Sequence, residues 1–344
     1  MSKRLFLIVW IIFLLILGGL AAWFTFGPAL RNKAQAFTNY QKTLGLPGQL
    51  KNGKIPVQVG ISIEKISDFS IKNVAWNTDF YVWFRWQPPA DDPAFNPGNS
   101  FQMVAGSITN KQKLIDLSDA NGHYELYRLS ASVNYPFDVA RYPVDDHLLR
   151  LFIQDPVHPL VQYVADRKNS RIDPTVHIPG YQIASSAIGA ETIATQSTFG
   201  NPAAPQEVAQ FGYGIFIVRQ GFGFYLKLFQ ALFAAVGVAL LAGFFKAHEE
   251  IRIELLVGGF FAAVANSYIT STYLPDTGVM TLMDFVNLLG LVTIFLCMIQ
   301  TVISSRIAAA DKEFSRRFDQ VSFGMIAVIY LGLNIALPLV ARLH

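Results

Sequence analysis

Apolar residues fall along this chain in stretches of very different period. Predominantly apolar runs occupy Leu5 to Phe26, Leu226 to Phe245, Leu255 to Tyr273, Thr281 to Ile303 and Val321 to Val340. As a helix, each is long enough to cross a hydrocarbon core of about 30 Å. The third is the least apolar, because Asn266, Ser267 and several threonines interrupt it. Between the first two runs the period changes to two. Val57, Val59, Ile61 and Ile63 alternate with polar neighbours, as do Val74, Trp76, Phe80, Val82, Phe84 and Trp86, with Asp79 and Arg85 on the other face. Such alternation predicts half-buried strands. Pro88, Pro89, Asp91, Asp92 and Pro93 break the pattern, and further strands are expected at His123 to Leu129, after Asp145, at Tyr181 to Ser186 and at Phe211 to Val218. Residues 187 to 210 are small, polar and punctuated by proline, which predicts a long exposed loop. The reading is a membrane protein that carries a water-exposed β domain.

Composition sharpens this. The chain is 52% hydrophobic and only 15% charged, more apolar than a soluble domain of 344 residues can bury. A net charge of +3 with no basic stripe sets nucleic acid aside as a partner. Cys297 is the lone cysteine and lies within an apolar run, so it forms no intrachain disulfide and leaves the redox compartment open. Lys3 and Arg4, then Lys246 and Arg252, then Arg306, Lys312, Arg316 and Arg317 all fall on one side if every run spans. The positive-inside rule makes that side cytoplasmic, with the N-terminus, and puts the β domain and C-terminus outside. Arg31 and Lys33, on the outer flank of the first run, count against this. The first run is longer than the apolar core of about 7 to 15 residues in a cleaved signal peptide. A retained anchor over residues 1–30 is therefore expected.

Enzymatic chemistry finds little support. Gly48 to Ile55 has the spacing of a phosphate-binding loop but lacks the final Ser or Thr, and it leads into Pro56 instead of a helix. There is no nucleophile elbow and no histidine-rich metal spacing, so no enzyme, cofactor or metal is expected. The last strand runs through Arg219 directly into the second apolar run. A domain joined to a bundle without slack can transmit movement, or it can simply be anchored there.

One stretch repeats itself: Tyr135-Pro136-Phe137-Asp138 is followed seven residues later by Tyr142-Pro143-Val144-Asp145. The prolines fix two turns. The strand that follows puts His147, Leu149, Leu151 and Ile153 on one face. Read alone, the two aspartates cap their own turns.

The stretch "PFDVARYPVDDHLLRLFI" resembles the signature loop of pentameric ligand-gated ion channels, especially the prokaryotic ones, which also lack the bracketing cysteines of animal receptors. "VQVGISIEKISDF" and "DFYVWFRWQ" look like that family's first two long strands, "IVRQGFGFYLKLF" like its entry into the first channel helix, and "TYLPDTGVMTLMDF" like the linker between its second and third helices. The resemblance runs over residues 55 to 340 in the family's order. It implies a homopentamer in the bacterial inner membrane. Each subunit would hold a periplasmic antiparallel β-sandwich (residues 31–220) and a four-helix transmembrane bundle (221–344, with helices near 224–246, 250–273, 280–304 and 320–341). The N-terminal transmembrane helix is additional to that plan. A small-molecule agonist or protons would act on the β domain, and cations would permeate a pore lined by the second channel helix.

By the same resemblance, Asp145 and Arg219 would form an ion pair. Asp138 would turn the chain, and the loop around Tyr142 and Pro143 would press on the linker at Leu274, Pro275 and on to Thr277. Aligned on Leu274-Pro275, the second helix would line the pore with Glu250, Glu254, Gly258, Phe261, Ala265, Tyr268 or Ile269, and Thr272, at steps of three and four. Rings of Glu250 and Glu254 would attract cations, and a Phe261 ring could close the path by dewetting. By position alone these glutamates equally suit interfacial charges paired with Lys246 or Arg252, and a one-residue shift would replace Phe261 by Phe260. Gly258 and Gly259 could widen the pore or allow a bend. An agonist site would draw one wall from residues 187–210, with Tyr81, Trp83, Tyr181, Phe199 and Tyr213 as candidate aromatics. His147 replaces a glutamine that many members carry. It could sense protons near neutral pH or serve structure alone, as could His177. Two other classes compete with the channel: a non-conducting membrane sensor or scaffold of the same architecture and, more weakly, a membrane-bound hydrolase.

Overall fold

A computed structural model describes Ile11, Leu15, Gly18, Gly19 and Ala22, then residues 53–89, 95–119, 122–195, 200 and 207–343. The five early residues are helical, but the expected anchor as a whole, Asp91 to Pro93 and Phe199 lie outside the described residues. The chain separates into a β unit (Ala34–Phe137 with Asp146–Gln220) and a helical unit (Gly221–His344 with Asp138–Asp145). The eight residues of the second Tyr-Pro-x-Asp step and the turn before it therefore belong to the helices, although strands flank them on both sides. The expected split into contiguous segments at residue 220 does not describe this arrangement.

The β unit contains β1 (Ile55–Ser70), β2 (Ala75–Trp86), β3 (Gln102–Val104), β4 (Gly106–Asp119), β5 (Gly122–Asn134), β6 (Asp146–Asp155), β7 (Val161–Ala165), β8 (Arg171–Ile172), β9 (Tyr181–Ala194) and β10 (Glu207–Arg219). One sheet runs β4-β5-β2-β1-β7 with β8 also beside β1, and the other runs β3-β6-β10-β9. Alternation built them as expected. Val57, Val59, Ile61, Phe80, Val82 and Phe84 are wholly buried, and on β6 every second residue from His147 to Ile153 turns inward. Two expectations need correction. The first sheet is mixed, because β7 and β8 pair with β1 in parallel after the chain crosses over from β6. The described residues of the supposed loop at 187–210 are largely strand: Ala187 to Ala194 pair with Gly214 to Glu207 of β10. Small residues such as Gly189 and Ala190 have weak strand propensity of their own, and the partner's ladder of hydrogen bonds overrides it.

In the helical unit four helices, each long and apolar enough to cross a membrane, mark the chain as a membrane protein. They are α1 (Gly223–Leu241, followed by a 3₁₀ turn Ala242–Phe244), α2 (Glu250–Ser271), α3 (Leu282–Ala308) and α4 (Lys312–Leu343). The last begins well before the expected residue 320. Its first turns are charged and so escape an apolar scan, but Asp311 caps them by accepting from the Phe314 amide at 3.0 Å. Ser315, Phe318 and Asp319 face inward there.

Candidate functional site

Within the helical unit, the loop Asp138–Asp145 is bound through the ends of three helices. The first amides of a helix have no partner of their own. At the start of α3, Leu282 N donates to Ala140 O at 2.8 Å and Met283 N donates to Tyr142 O at 3.1 Å. The third amide, of Asp284, donates to Thr281 Oγ1, and the Asp284 carboxylate closes a capping box by accepting from Thr281 N at 2.9 Å. At the far end of α4, Arg141 Nη1 donates to the Ala341 carbonyl at 3.5 Å, where a cation also favours the helix dipole. The Tyr142 ring meets Phe224, at the start of α1, edge to face at 6.0 Å. Val139 through Asp145 are all buried, and Asp138 caps its own turn by accepting from Ala140 N at 3.0 Å. Leu274 and Pro275 are half-buried. These bonds tie Ala140 and Tyr142 to the first turn of α3, just beyond that linker.

Helix α2 has two unlike faces. Arg252, Leu256, Gly259, Ala263, Asn266 and Thr270 recur every three or four residues and are buried against the other helices. Gly259 permits the approach of α1, since a Cβ there would lie 2.9 Å from the Ala235 carbonyl. Asn266 Nδ2 donates to Asn287 Oδ1 at 3.1 Å, and Asn287 Nδ2 donates to Thr270 Oγ1 at 2.8 Å, so the amides of this face are satisfied between helices. Displaced by two residues, or about 200° at 100° per residue, run Glu250, Glu254, Gly258, Phe261, Ala265, Tyr268, Ile269 and Thr272, all exposed. Phe261 is 67% exposed, whereas Phe260 is only half-buried. Between the two phenylalanines, 261 is the one on this face.

Arg252 is not a partner for the glutamates. It is wholly buried and grips Asp319 of α4 through two 2.8 Å bonds, with further donation to Thr301 Oγ1 at 3.0 Å and to the Phe245 carbonyl at 3.3 Å. Ser304 Oγ donates to the same carboxylate at 2.7 Å. A buried charge persists only when paired and hydrogen-bonded in this way. The run of apolar residues hid this cluster, since Arg252 reads as an interfacial charge when its partner is 67 residues away.

The β unit holds a cavity of about 590 Å³ lined by Tyr81, Trp83, Arg85, Tyr124, Asp166 and Arg171, among others. Trp83 Nε1 donates to Asp166 Oδ2 at 3.1 Å, and Asn169 Nδ2 donates to both oxygens of that carboxylate. Gly60 lies directly under the Trp83 ring, where any Cβ would collide. The Arg85 guanidinium lies over Tyr124 at 5.3 Å. Burial raises the Tyr124 hydroxyl above its ordinary pKa, Arg85 opposes this and Asp166 adds to it. Tyr81 and Trp83 thus share this cavity. The alternation of β2, which turns Phe80, Val82 and Phe84 inward, is the signal that sets Tyr81, Trp83 and Arg85 together on the other face. Tyr124, Asp166 and Arg171 come from strands and turns far away in the chain and carried no such signal.

The remaining candidates sit elsewhere. Tyr213 is a core residue of β10, and burial raises its hydroxyl pKa against the effect of a hydrogen bond with Ser186. Tyr181 is buried beneath Arg219, whose guanidinium donates to its hydroxyl and stacks on its ring at 4.2 Å. His147 is 3% exposed and is surrounded by Phe69, Phe137 and Tyr181, with centroids 5.2 to 5.9 Å away. His177 is exposed. Asp145 is fully buried. Among the described residues, one cluster has metal-ligand types, Asp116, His123 and Glu125. The Lys113 ammonium already lies 2.9 Å from Asp116 and 2.6 Å from Glu125 within it. No protein-family model matches this chain, and no curated protein is significantly similar to it.

Proposed function

We propose that this chain is the subunit of a homopentameric, cation-selective channel of the pentameric ligand-gated type. In this reading a small polar ligand or protons act on the β unit, and α2 lines the conducting path. The observation that carries the proposal is one stripe of the uncovered part of α2, which elsewhere exposes the apolar Ile251, Ile253, Val257 and Val264. It opens with two glutamates one turn apart, passes through Gly258 and Phe261, and ends in Tyr268 and Thr272, a mixture ill suited to lipid and well suited to a helix beside water. Five copies around an axis would turn Glu250 and Glu254 into rings that concentrate cations, while Phe261 would form an apolar constriction. Arg252, Asn266 and Thr270 on the opposite face hold α2 to α3 and α4 and so give the stripe a fixed direction.

The seat of Ala140 to Tyr142 on the ends of α1, α3 and α4 supports a gating role for the loop: a movement of the loop would reach three helices through their terminal groups. The cavity at Tyr81 and Trp83 has aromatic faces and both signs of charge, which suits a small polar solute. The membrane proposed is a bacterial inner membrane, with the N-terminus cytoplasmic and the β unit and C-terminus periplasmic.

The test is current through the purified protein in a planar bilayer under a KCl gradient, with the pH beside the β unit stepped from about 7.5 to about 4.5, across the histidine and carboxylate ranges. Unitary current that reverses near the potassium potential, with Glu254→Ala shifting reversal toward zero, is expected. Chloride selectivity, or selectivity unmoved by Glu250→Ala and Glu254→Ala together, would remove α2 from the pore. Silence at both pH values and across a panel of small amines and amino acids would favour the non-conducting sensor.

A further inference from the structure

At the end of the helical unit where α1 stops and α4 begins there is a cavity of about 920 Å³. Its walls are apolar or small: Leu240, Gly243, Phe244, Phe323, Gly324 and Ala327. Its rim is cationic, with Lys246, His248, Lys312 and Arg316. Both acids that line it are held by arginines outside the lining, and the Glu249 carboxylate beside it accepts from the Lys246 amide at 3.3 Å. Glu313 accepts from Arg317 at 2.7 Å, and Asp319 is held by Arg252. Lys246, Lys312 and Arg316 have no ion-pair partner among the described residues. We propose that this cavity binds an anionic phospholipid, with the phosphate on Lys246, Lys312 and Arg316 and an acyl chain along Phe244 and Gly324.

Three features favour a lipid over a soluble anion. Phe244 is 87% exposed at a helix end, directly beside the cations, a position that suits the boundary between headgroups and hydrocarbon. Gly324 is exposed and has open space where a Cβ would be, so no side chain there stands between the cavity and an acyl chain laid along α4. Phe323 lies flat over Gly243, which allows no Cβ without a clash, and so closes the inner wall. The basic residues at this end also place it, by the positive-inside rule, in the leaflet where anionic lipids concentrate. A volume of this size is at the upper end of pockets for small molecules and accommodates a headgroup with part of a chain.

The proposal rests on membrane insertion and is independent of ion conduction. Silence in the bilayer experiment would leave it untouched. The purified full chain in a non-ionic detergent is titrated with phosphatidylglycerol, phosphatidylcholine or inorganic phosphate and followed by native mass spectrometry and thermal melting. Phosphatidylglycerol is expected to bind saturably at about one per subunit and to raise the melting temperature, and phosphatidylcholine is expected to do neither. Lys312→Gln with Arg316→Gln, both exposed, should weaken binding about fivefold for each charge removed. Gly324→Trp should block the acyl chain's path along α4 and abolish retention of phosphatidylglycerol while leaving the melting of the lipid-free protein in place. Equal binding of the two lipids, or unchanged affinity in the double glutamine variant, would overturn the proposal. Stabilisation by inorganic phosphate equal to that by phosphatidylglycerol would reassign the rim to a soluble anion.

Discussion

Replacing Arg252 by Met would test whether the Arg252–Asp319 cluster holds α2 in its orientation. The guanidinium makes two 2.8 Å bonds to a carboxylate that is itself buried, and it adds bonds to Thr301 and the Phe245 carbonyl. Methionine fills most of the volume but leaves Asp319 with the donors Ser304 and Gln300 alone and no counter-charge. Removing one partner of a buried pair costs about 3–5 kcal/mol, mostly the penalty of the stranded charge. That corresponds to roughly a 100- to 4,000-fold loss in the folded ratio. The second substitution makes the test discriminating: Asp319→Leu removes the stranded carboxylate, so Arg252→Met with Asp319→Leu should recover most of the loss. Thermal melting of the purified protein, completed as a double-mutant cycle, reads the coupling directly. If the double variant melts no higher than Arg252→Met, the cost comes from packing and the electrostatic account fails.

Two further outcomes follow from the geometry. Gly258→Ala, on the open face of α2, should stabilise the helix by roughly 0.5–1 kcal/mol through propensity. Gly259→Ala, one residue on, should destabilise it because its Cβ would press on the Ala235 carbonyl, and a reversed order in thermal melts would show that the face assignment of α2 is wrong. In the β unit, burial opposes the Lys113 charge, but hydrogen bonds and attraction from Glu125 and Asp116 outweigh it and raise its pKa above 10.5. That contribution is fully present below the unfolded pKa and is lost as pH rises through the folded one. The hydrogen bond from Lys113 conversely lowers the Asp116 pKa below 3.8, a contribution present above that value and lost as pH falls through the folded pKa. Lys113→Met takes the ammonium from the fully buried Glu125, which keeps its bonds from Asn96 and Tyr127, so it should cost about 1–3 kcal/mol near neutrality and flatten the alkaline limb. Fluorescence of Trp86, whose ring lies 4.5 Å from His123 beside this cluster, is the probe. An alkaline limb parallel to the wild type would refute the assignment.

Period and run length made the main elements legible in the sequence. The inward face of β6 follows from strict alternation, and the four helices of the bundle follow from their apolar content. Elements that draw their stability from a partner were not legible. Ala187 to Ala194 lack strand character until β10 pairs with them. The first turns of α4 are amphipathic and charged, and only Asp311 marks their start. The candidate stripe on α2 came from the resemblance aligned on Leu274-Pro275, and its steps of three and four are what keep those residues along one side of the helix. The cavity around Trp83 was half legible, through β2 alone, since Asp166 and Arg171 reach it by topology that no local pattern encodes. The inward-facing Arg252 was hidden for the same reason.

The allocation of Asp138–Asp145 to the helical unit has a consequence for biosynthesis. A chain emerges N-terminus first at about 5–20 residues per second. This loop is therefore made long before the amides of Leu282 and Met283 exist to receive its carbonyls, and longer still before Ala341 can meet Arg141. Until then Tyr142, Val144 and Asp145, all buried in the finished protein, have lost none of their water. Completion of the helical unit thus waits for α4 and cannot be reached by any fragment that stops short of it. A secreted version truncated after β10 would carry this segment as an orphan, an apolar and acidic loop shaped for helix ends that the fragment does not possess.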